Sequence, residues 1–242
     1  MLLRKWCWII LLTTSFSVCA EEIQLPIIAY WNFDDDTEKE LVDSGPNKLN
    51  AILTTKDTTC KMLKTKGMRN SALLWKKDRP VKYIIQDKQK ILNIKPPYTI
   101  CVWIRLDDKT NKLMSILSCK FDTAKNGYSF NTGWRSICYY WGDSEKTERI
   151  RSPQQDFLKK GIWFHAALVN DGSKITIFID GNPVFEQKYV NAAPAPTKST
   201  TVIGSYPGKT SGYNFVGAID ELYIIGKALN KDEIYVLASN MD

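Results

Sequence analysis

The sequence predicts an all-β fold: two antiparallel sheets packed as a sandwich, closed by a short C-terminal helix. Three observations carry that expectation. The first is the stretch Trp163–Pro183, WFHAALVNDGSKITIFIDGNP, which reads as a hairpin. Strand Trp163–Asn170 meets strand Lys174–Ile179 through an Asn-Asp-Gly turn, and a second turn follows at Asp180-Gly181-Asn182-Pro183. Ile175, Ile177 and Ile179 point to one side, Thr176 and Phe178 to the other. The second observation is the strict alternation in Tyr98–Leu106, where Ile100, Val102, Ile104 and Leu106 share a face. The third is that helix signals concentrate at the C-terminus, where Asn230 and Glu233 have the spacing of a capping box.

The elements follow in order. Arg4 and Lys5, the apolar run Trp6–Leu12, the weaker run Thr13–Ser17 and the small residues around Val18-Cys19-Ala20 read as a secretory signal, residues 1–20. The apolar stretch is short for a bilayer span. Two alternatives stay open: lipidation at Cys19, and a retained anchor. Residues 21–242 are read as one β domain, secreted, extracellular or periplasmic. The chain carries 33 basic and 26 acidic residues, net +7. The lysines are scattered, so a soluble basic surface is expected and nucleic acid is not. A preference for acidic polymers or anionic surfaces is the second reading.

Further strands are expected at Ala29–Phe33, Ser71–Trp75, Val81–Ile85, Met114–Lys120, Tyr128–Thr132, Ser136–Trp141, Val184–Lys188, Thr201–Gly204 and Gly217–Ile225. Short strands at this spacing are the pattern of a sandwich. Trp141–Gln155, Asn191–Thr200 and Ser205–Asn214 are expected as loops. The helix is expected after Asn230, with Ile234, Leu237 and Ala238 on one face. Cys60, Cys101, Cys119 and Cys138 remain after the signal. In an exported chain that number permits two disulfides in any of three pairings, or buried thiols.

These motifs resemble a known family. YWNFDDD with Val42-Asp43-Ser44-Gly45 resembles the opening of the LamG-like (laminin G type) concanavalin A-like lectin/glucanase domains. GMRNSALLW at Gly67–Trp75, YTICVWIRL at Tyr98–Leu106, the hairpin Trp163–Gly181 and GAIDELYIIGKAL at Gly217–Leu229 resemble its later blocks, in the family's order. The resemblance spans nearly all of Ala29–Ala238. It implies a jelly-roll sandwich and demotes His165 and Asp180 to framework. The family holds sugar binders, adhesion modules and enzymes, so function must come from the site.

Three chemistries are open to a chain of this kind. Glycoside hydrolysis needs two carboxylates across the bond. No strand carries alternating carboxylates, and adjacent Asp220 and Glu221 are expected on opposite faces. A Ser/His/Asp device would have to use His165. Calcium is suited to hard oxygens, and the resemblance gathers Asp34, Asp43 and Asp220 near one sheet edge. The alternative there is a solvated acidic turn. Sugar binding needs rings to stack on pyranose faces and polar groups for the hydroxyls. Trp31, Trp75, Trp103 and Trp163 are expected in or beside the core. Trp134, Arg135, Tyr139, Tyr140 and Trp141 are expected as a ligand platform, with Tyr206 and Tyr213 at its rim. One face of Ser136–Trp141 must look outward: Ile137, Tyr139 and Trp141, or Cys138 and Tyr140.

The expectation is an exported, non-catalytic module that binds a glycan or a cell-surface or extracellular polymer. The alternatives are a protein–protein adhesion module without a sugar site, and a glycoside hydrolase or lyase of this fold.

Overall fold

The alternation in the sequence becomes sixteen strands and one helix among the described residues. The computed structural model describes residues 25–57, 59–108, 112–121, 123–154, 159–208 and 212–239. The signal read at residues 1–20, with Cys7 and Cys19, lies outside them. In chain order the strands begin β1 Ile27–Trp31, β2 Glu40–Leu41, β3 Ala51–Thr54, β4 Lys64–Lys66, β5 Ser71–Trp75 and β6 Lys82–Ile85. Next come β7 Tyr98–Leu106, β8 Met114–Ser118, β9 Tyr128–Gly133, β10 Ser136–Gly142 and β11 Thr147–Arg151. The last are β12 Trp163–Asn170, β13 Lys174–Ile179, β14 Asn182–Lys188, β15 Val202–Ile203 and β16 Gly217–Ile225, then helix α1 Lys231–Ser239.

Two eight-stranded antiparallel sheets form. The first runs β14-β13-β12-β7-β16-β5-β4, with β1 also on β16; the second runs β11-β10-β9-β8-β15-β6-β3-β2. Their inner faces enclose one core. It includes Trp31, Trp75, Tyr83, Ile100, Val102, Ile104, Phe130, Trp141 and Ile219. The capping box closes α1: Asn230 Oδ1 accepts from the Glu233 N–H at 2.9 Å, and Glu233 Oε2 accepts from the Asn230 N–H at 2.9 Å. The helix covers the outer face of the first sheet, where Cys101, Val169, Phe178, Ile225 and Ile234 make a second cluster.

Strand β16 serves two partners on one side. Gly217–Ile219 pair with β5, and Leu222–Ile225 pair with β1. Between them the register with β7 slips from Asp220 to Tyr223, and Glu221 takes φ 51°. This bulge overturns the expectation that Asp220 and Glu221 face apart. Both reach the Arg69 segment: Asp220 accepts from the Arg69 N–H at 3.0 Å, and Glu221 accepts from the Arg69 guanidinium at 3.0 Å. A bulge inserts a residue and so breaks the two-residue period.

Two other expectations change. Strands β2, β3, β4 and β11 arise where no strand was expected; β11 lies inside the charged segment read as a loop. The four cysteines are free and buried, so no disulfide forms. Cys101 sits under α1 outside the first sheet, and Cys138 sits outside the second, on opposite sides of the sandwich. Cys60 is engaged elsewhere, its Sγ accepting from Arg79 Nε at 2.7 Å.

Asp43 is fully buried and ties β1 to the following loop. Its carboxylate accepts from the N–H groups of Tyr30 at 2.8 Å, Gly45 at 2.7 Å and Leu49 at 2.7 Å. Asp43→Ala strands those donors, and the expected loss is about 3 kcal/mol or more in urea unfolding, with the m-value unchanged. The four thiols are expected to resist a thiol-titrating reagent in the native protein and to react fully in denaturant. Rapid reaction of any one in native buffer contradicts the burial described.

Candidate functional site

The carboxylates gathered by the first strand and the Ile-Asp-Glu strand are spent on backbone. Asp34 accepts from the Ser71 N–H at 2.9 Å and from Asn70 Nδ2 at 3.0 Å. Asp220 accepts from the N–H groups of Met68 at 2.8 Å, Arg69 at 3.0 Å and Glu221 at 3.0 Å. Asp34 and Asp220 therefore grip the same turn, residues 67–71, while Asp43 holds a different one. Oxygens that face N–H donors present a poor cradle for a cation. Among the described residues no group of three or more His, Cys, Asp or Glu could hold a metal ion. The three do not fit the calcium site that was expected of them.

Glu221 takes the hydroxyls of Tyr30 at 2.9 Å and Tyr223 at 3.0 Å, and those two rings stack at 4.0 Å. Burial pushes both acids up, Asp220 to about 7; repulsion from Glu221 adds to the rise at Asp220, and repulsion from Asp34 to that at Glu221. His165 is buried against Trp103, ring centroids 5.3 Å apart, and burial holds it neutral down to about 3. Asp180 accepts from the His165 N–H at 2.7 Å. These groups position strands.

The aromatic residues divide differently from expectation. Tyr139 and Trp141 point inward and are fully buried, stacked at 5.5 Å within the core. The Tyr139 hydroxyl bonds that of Tyr98. They are corrected from platform to core, because β10 carries large apolar side chains on both faces and the Ile137 face is the inner one. Cys138 and Tyr140 take the outer face. They join Leu113, Tyr206, Trp134 and Tyr213 in a separate cluster outside the second sheet.

Four of the seven expected ligand residues thus come together, Trp134, Tyr140, Tyr206 and Tyr213, and Arg135 follows Trp134 in the β9–β10 turn. The hairpin β9–β10 presents Trp134 and Arg135, whose φ values of 51° and 59° suit a two-residue turn that usually takes Asn-Gly. Arg135 Nη2 donates to Gln154 Oε1 at 3.2 Å. Tyr206 and Tyr213 lie over β8–β10. Gly204 starts their segment at φ 82°, and a Cβ there would meet Trp75 Nε1 at 2.3 Å, so glycine is required. The Phe215 N–H donates to the Gly204 carbonyl at 2.9 Å, closing the loop. The Ser115 N–H donates to the Tyr213 carbonyl at 2.9 Å, docking it. Tyr206 and Tyr213 stack at 4.6 Å.

Beneath the cluster lies a polar floor. Cross-strand pairing sets two rows on this face: Ser115, Asn131, Cys138, Arg151, and Ser118, Ser129, Tyr140, Arg149. Asn131 Nδ2 donates to Ser129 Oγ at 2.9 Å, whereas Asn131 Oδ1 and Ser115 Oγ are buried without a hydrogen-bond partner. Buried polar atoms are rarely left so. Arg149 lies over the Tyr140 ring at 5.3 Å and Arg151 over Trp134 at 5.6 Å. Sequence reading missed both arginines. Thr-Glu-Arg-Ile-Arg has one apolar residue in five, and its signal was the alternation of Arg149, Ile150 and Arg151 alone. A groove of about 400 Å³ elsewhere, lined by Lys77, Arg105, Asp107 and Asp108 among others, holds two ion pairs of its own, Lys77–Asp108 and Arg105–Asp107.

The raised Asp220 and the lowered His165 have opposite linkage signs. Asp220 holds a proton when folded that it releases near 3.8 when unfolded, so stability falls as pH rises from about 4 to about 7. His165 refuses a proton that the unfolded chain takes up near 6.5, so stability falls as pH drops from 6.5 towards 3. The two slopes oppose each other between about pH 4 and 6.5, at about 1.4 kcal/mol per pH unit for each proton. In thermal or urea melts, His165→Phe is expected to gain stability towards acid relative to the parent, and Asp220→Asn to lose it. Parallel profiles for all three proteins contradict this assignment.

A sequence profile described as the concanavalin A-like lectin/glucanases superfamily matches residues 83–235. No curated protein matches the sequence. Among solved structures, the binding domain of Paraclostridial Mosquitocidal Protein 1 is similar at TM-score 0.66 and 17% identity, over 88% of this chain and 51% of that one. Domain 4 of AbnA, a GH43 extracellular arabinanase from Geobacillus stearothermophilus in complex with arabinotriose, gives 0.65 and 17%, over 89% of this chain and 99% of that one. The binding domain of botulinum neurotoxin DC in complex with rat synaptotagmin II gives 0.65 and 17%, over 90% and 52%. The chain spans about half the length of the two toxin chains and nearly all of the arabinanase domain. At such identities the likeness shows the fold, a jelly-roll sandwich. With the profile covering more than half of its length, this chain belongs to the concanavalin A-like lectin/glucanases superfamily.

Proposed function

We propose that this chain is an exported, non-catalytic binding module that recognises carbohydrate or another extracellular polymer. The ligand lies on the outer face of the second sheet, against Trp134, Arg135, Tyr140, Tyr206 and Tyr213. One observation carries the reading: an aromatic cluster outside the core stands over buried polar atoms that have no partner, Asn131 Oδ1 and Ser115 Oγ. Half-buried Trp134 and Tyr213 offer ring surface, and exposed Arg135 beside Trp134 offers a polar group. Sugars need both kinds of contact. The arabinanase domain bound to arabinotriose is a relative in fold with a sugar ligand. The synaptotagmin complex of a neurotoxin domain keeps a protein partner as the competing reading.

The test is a glycan array with purified protein, with and without EDTA, repeated with Trp134→Ala and Tyr213→Ala. Binding is expected to survive EDTA and to fall about tenfold or more in each variant, the worth of one good stacking contact. Their melting temperatures should stay close to that of the parent. Silence across a broad array, with a protein partner bound at the same face, replaces this reading with adhesion. Slow cleavage of a bound glycan replaces it with hydrolysis.

A further inference from the structure

We infer that the polymer read by this face is an acidic polysaccharide, one bearing carboxylate or sulfate groups, and that Arg149 and Arg151 read it. The inference rests on the binding-module reading above and names its ligand class. Arg149 and Arg151 alternate on edge strand β11, so both side chains stand on the outer face, opposite Tyr140 and Cys138. Two residues on, the strand has advanced about 7 Å. The pair is therefore a short, regular array of positive charge. The intervening Ile150 is buried in the core. Glu148, also on the inner side, pairs with Lys146.

The fork of the guanidinium decides the chemistry. Arg149 lies over Tyr140 at 5.3 Å and Arg151 over Trp134 at 5.6 Å, within cation–π range. A guanidinium presents its N–H groups in one plane, where a planar oxyanion takes two at once. The net charge of +7 draws such polymers from a distance.

Calorimetry with dextran, dextran sulfate, polygalacturonate and duplex DNA tests this, using the parent chain, R149Q/R151Q, R149K/R151K and Trp134→Ala. The expected result is binding of dextran sulfate and polygalacturonate at least about tenfold tighter than dextran, weakening steeply from about 0.05 M to about 0.5 M salt. R149Q/R151Q is expected to lose that advantage. R149K/R151K is expected to lose most of it with net charge unchanged, because an ammonium has no planar fork. Far-ultraviolet spectra and melting curves confirm that the variants are folded, and R151Q alone replaces the double variant if it is not. Equal affinity for dextran and dextran sulfate, or full affinity in R149Q/R151Q, overturns the inference and leaves the module reading standing when Trp134→Ala still weakens binding. Full affinity in R149K/R151K, or DNA bound as tightly as dextran sulfate, overturns the arginine-specific reading in favour of charge alone. No binding to any polysaccharide here or on the array removes both.

Discussion

A strand with two different neighbours on one side cannot keep a single register, and β16 has two. The sandwich depends on how that conflict is resolved. At the switch from β5 to β1 the chain bulges, and the two acids at the bulge hold what the ladder lets go. Asp220 takes the amides of the turn that leads into β5, and Glu221 takes the tyrosines of β1 and β16. Both acids are buried and both hold their protons more tightly than usual. The cost is accepted because unpaired amides in the same place would cost as much. With this junction set, β7 and β16 form the spine on which the first sheet is built, and the second sheet packs across it.

The two outer faces then diverge. On the first sheet, Cys101 and Val169 are sealed by α1 through apolar contact, and Trp103 packs on His165. That face is finished. On the second sheet the cover is a loop with stacked tyrosines, and the residues below are serine and asparagine. Serine and asparagine under a lid make little sense as packing, since they gain nothing from losing water unless paired. The asymmetry supports the proposal that recognition lies on the second sheet. The charged edge strand β11 also blunts that sheet's edge against pairing with other chains.

What the sequence disclosed follows from which physical signals are local. Tyr98–Leu106, Trp163–Asn170, Lys174–Ile179 and Gly217–Ile225 were legible to the residue, because alternation and turn chemistry are written within each segment. The capping box of α1 was equally local. Facing was not legible on β10, because alternation needs a polar side and this strand has aromatic residues on both. Strand β11 was hidden because an edge strand half in solvent needs only one apolar residue, Ile150. The placing of Asp220 and Glu221 failed at a bulge, which depends on partners far away in sequence. So Trp134, Tyr140, Tyr206 and Tyr213 could be grouped in advance, and Arg149 and Arg151 beside them could not.

The free cysteines set the terms on which this molecule persists. Burial pushes the thiols of Cys119 and Cys138 up to about 12 and raises that of Cys101 as well, so in the native state they are chemically mute. Unfolding releases all of them at once as ordinary thiols. In an oxidising medium the unfolded chain then crosslinks, and the return path closes. Its working lifetime outside a reducing compartment is therefore governed by how seldom it opens, a rate, and the depth of the folding equilibrium matters less. A sandwich of long-range antiparallel pairs, slow to assemble, has to be slower still to come apart.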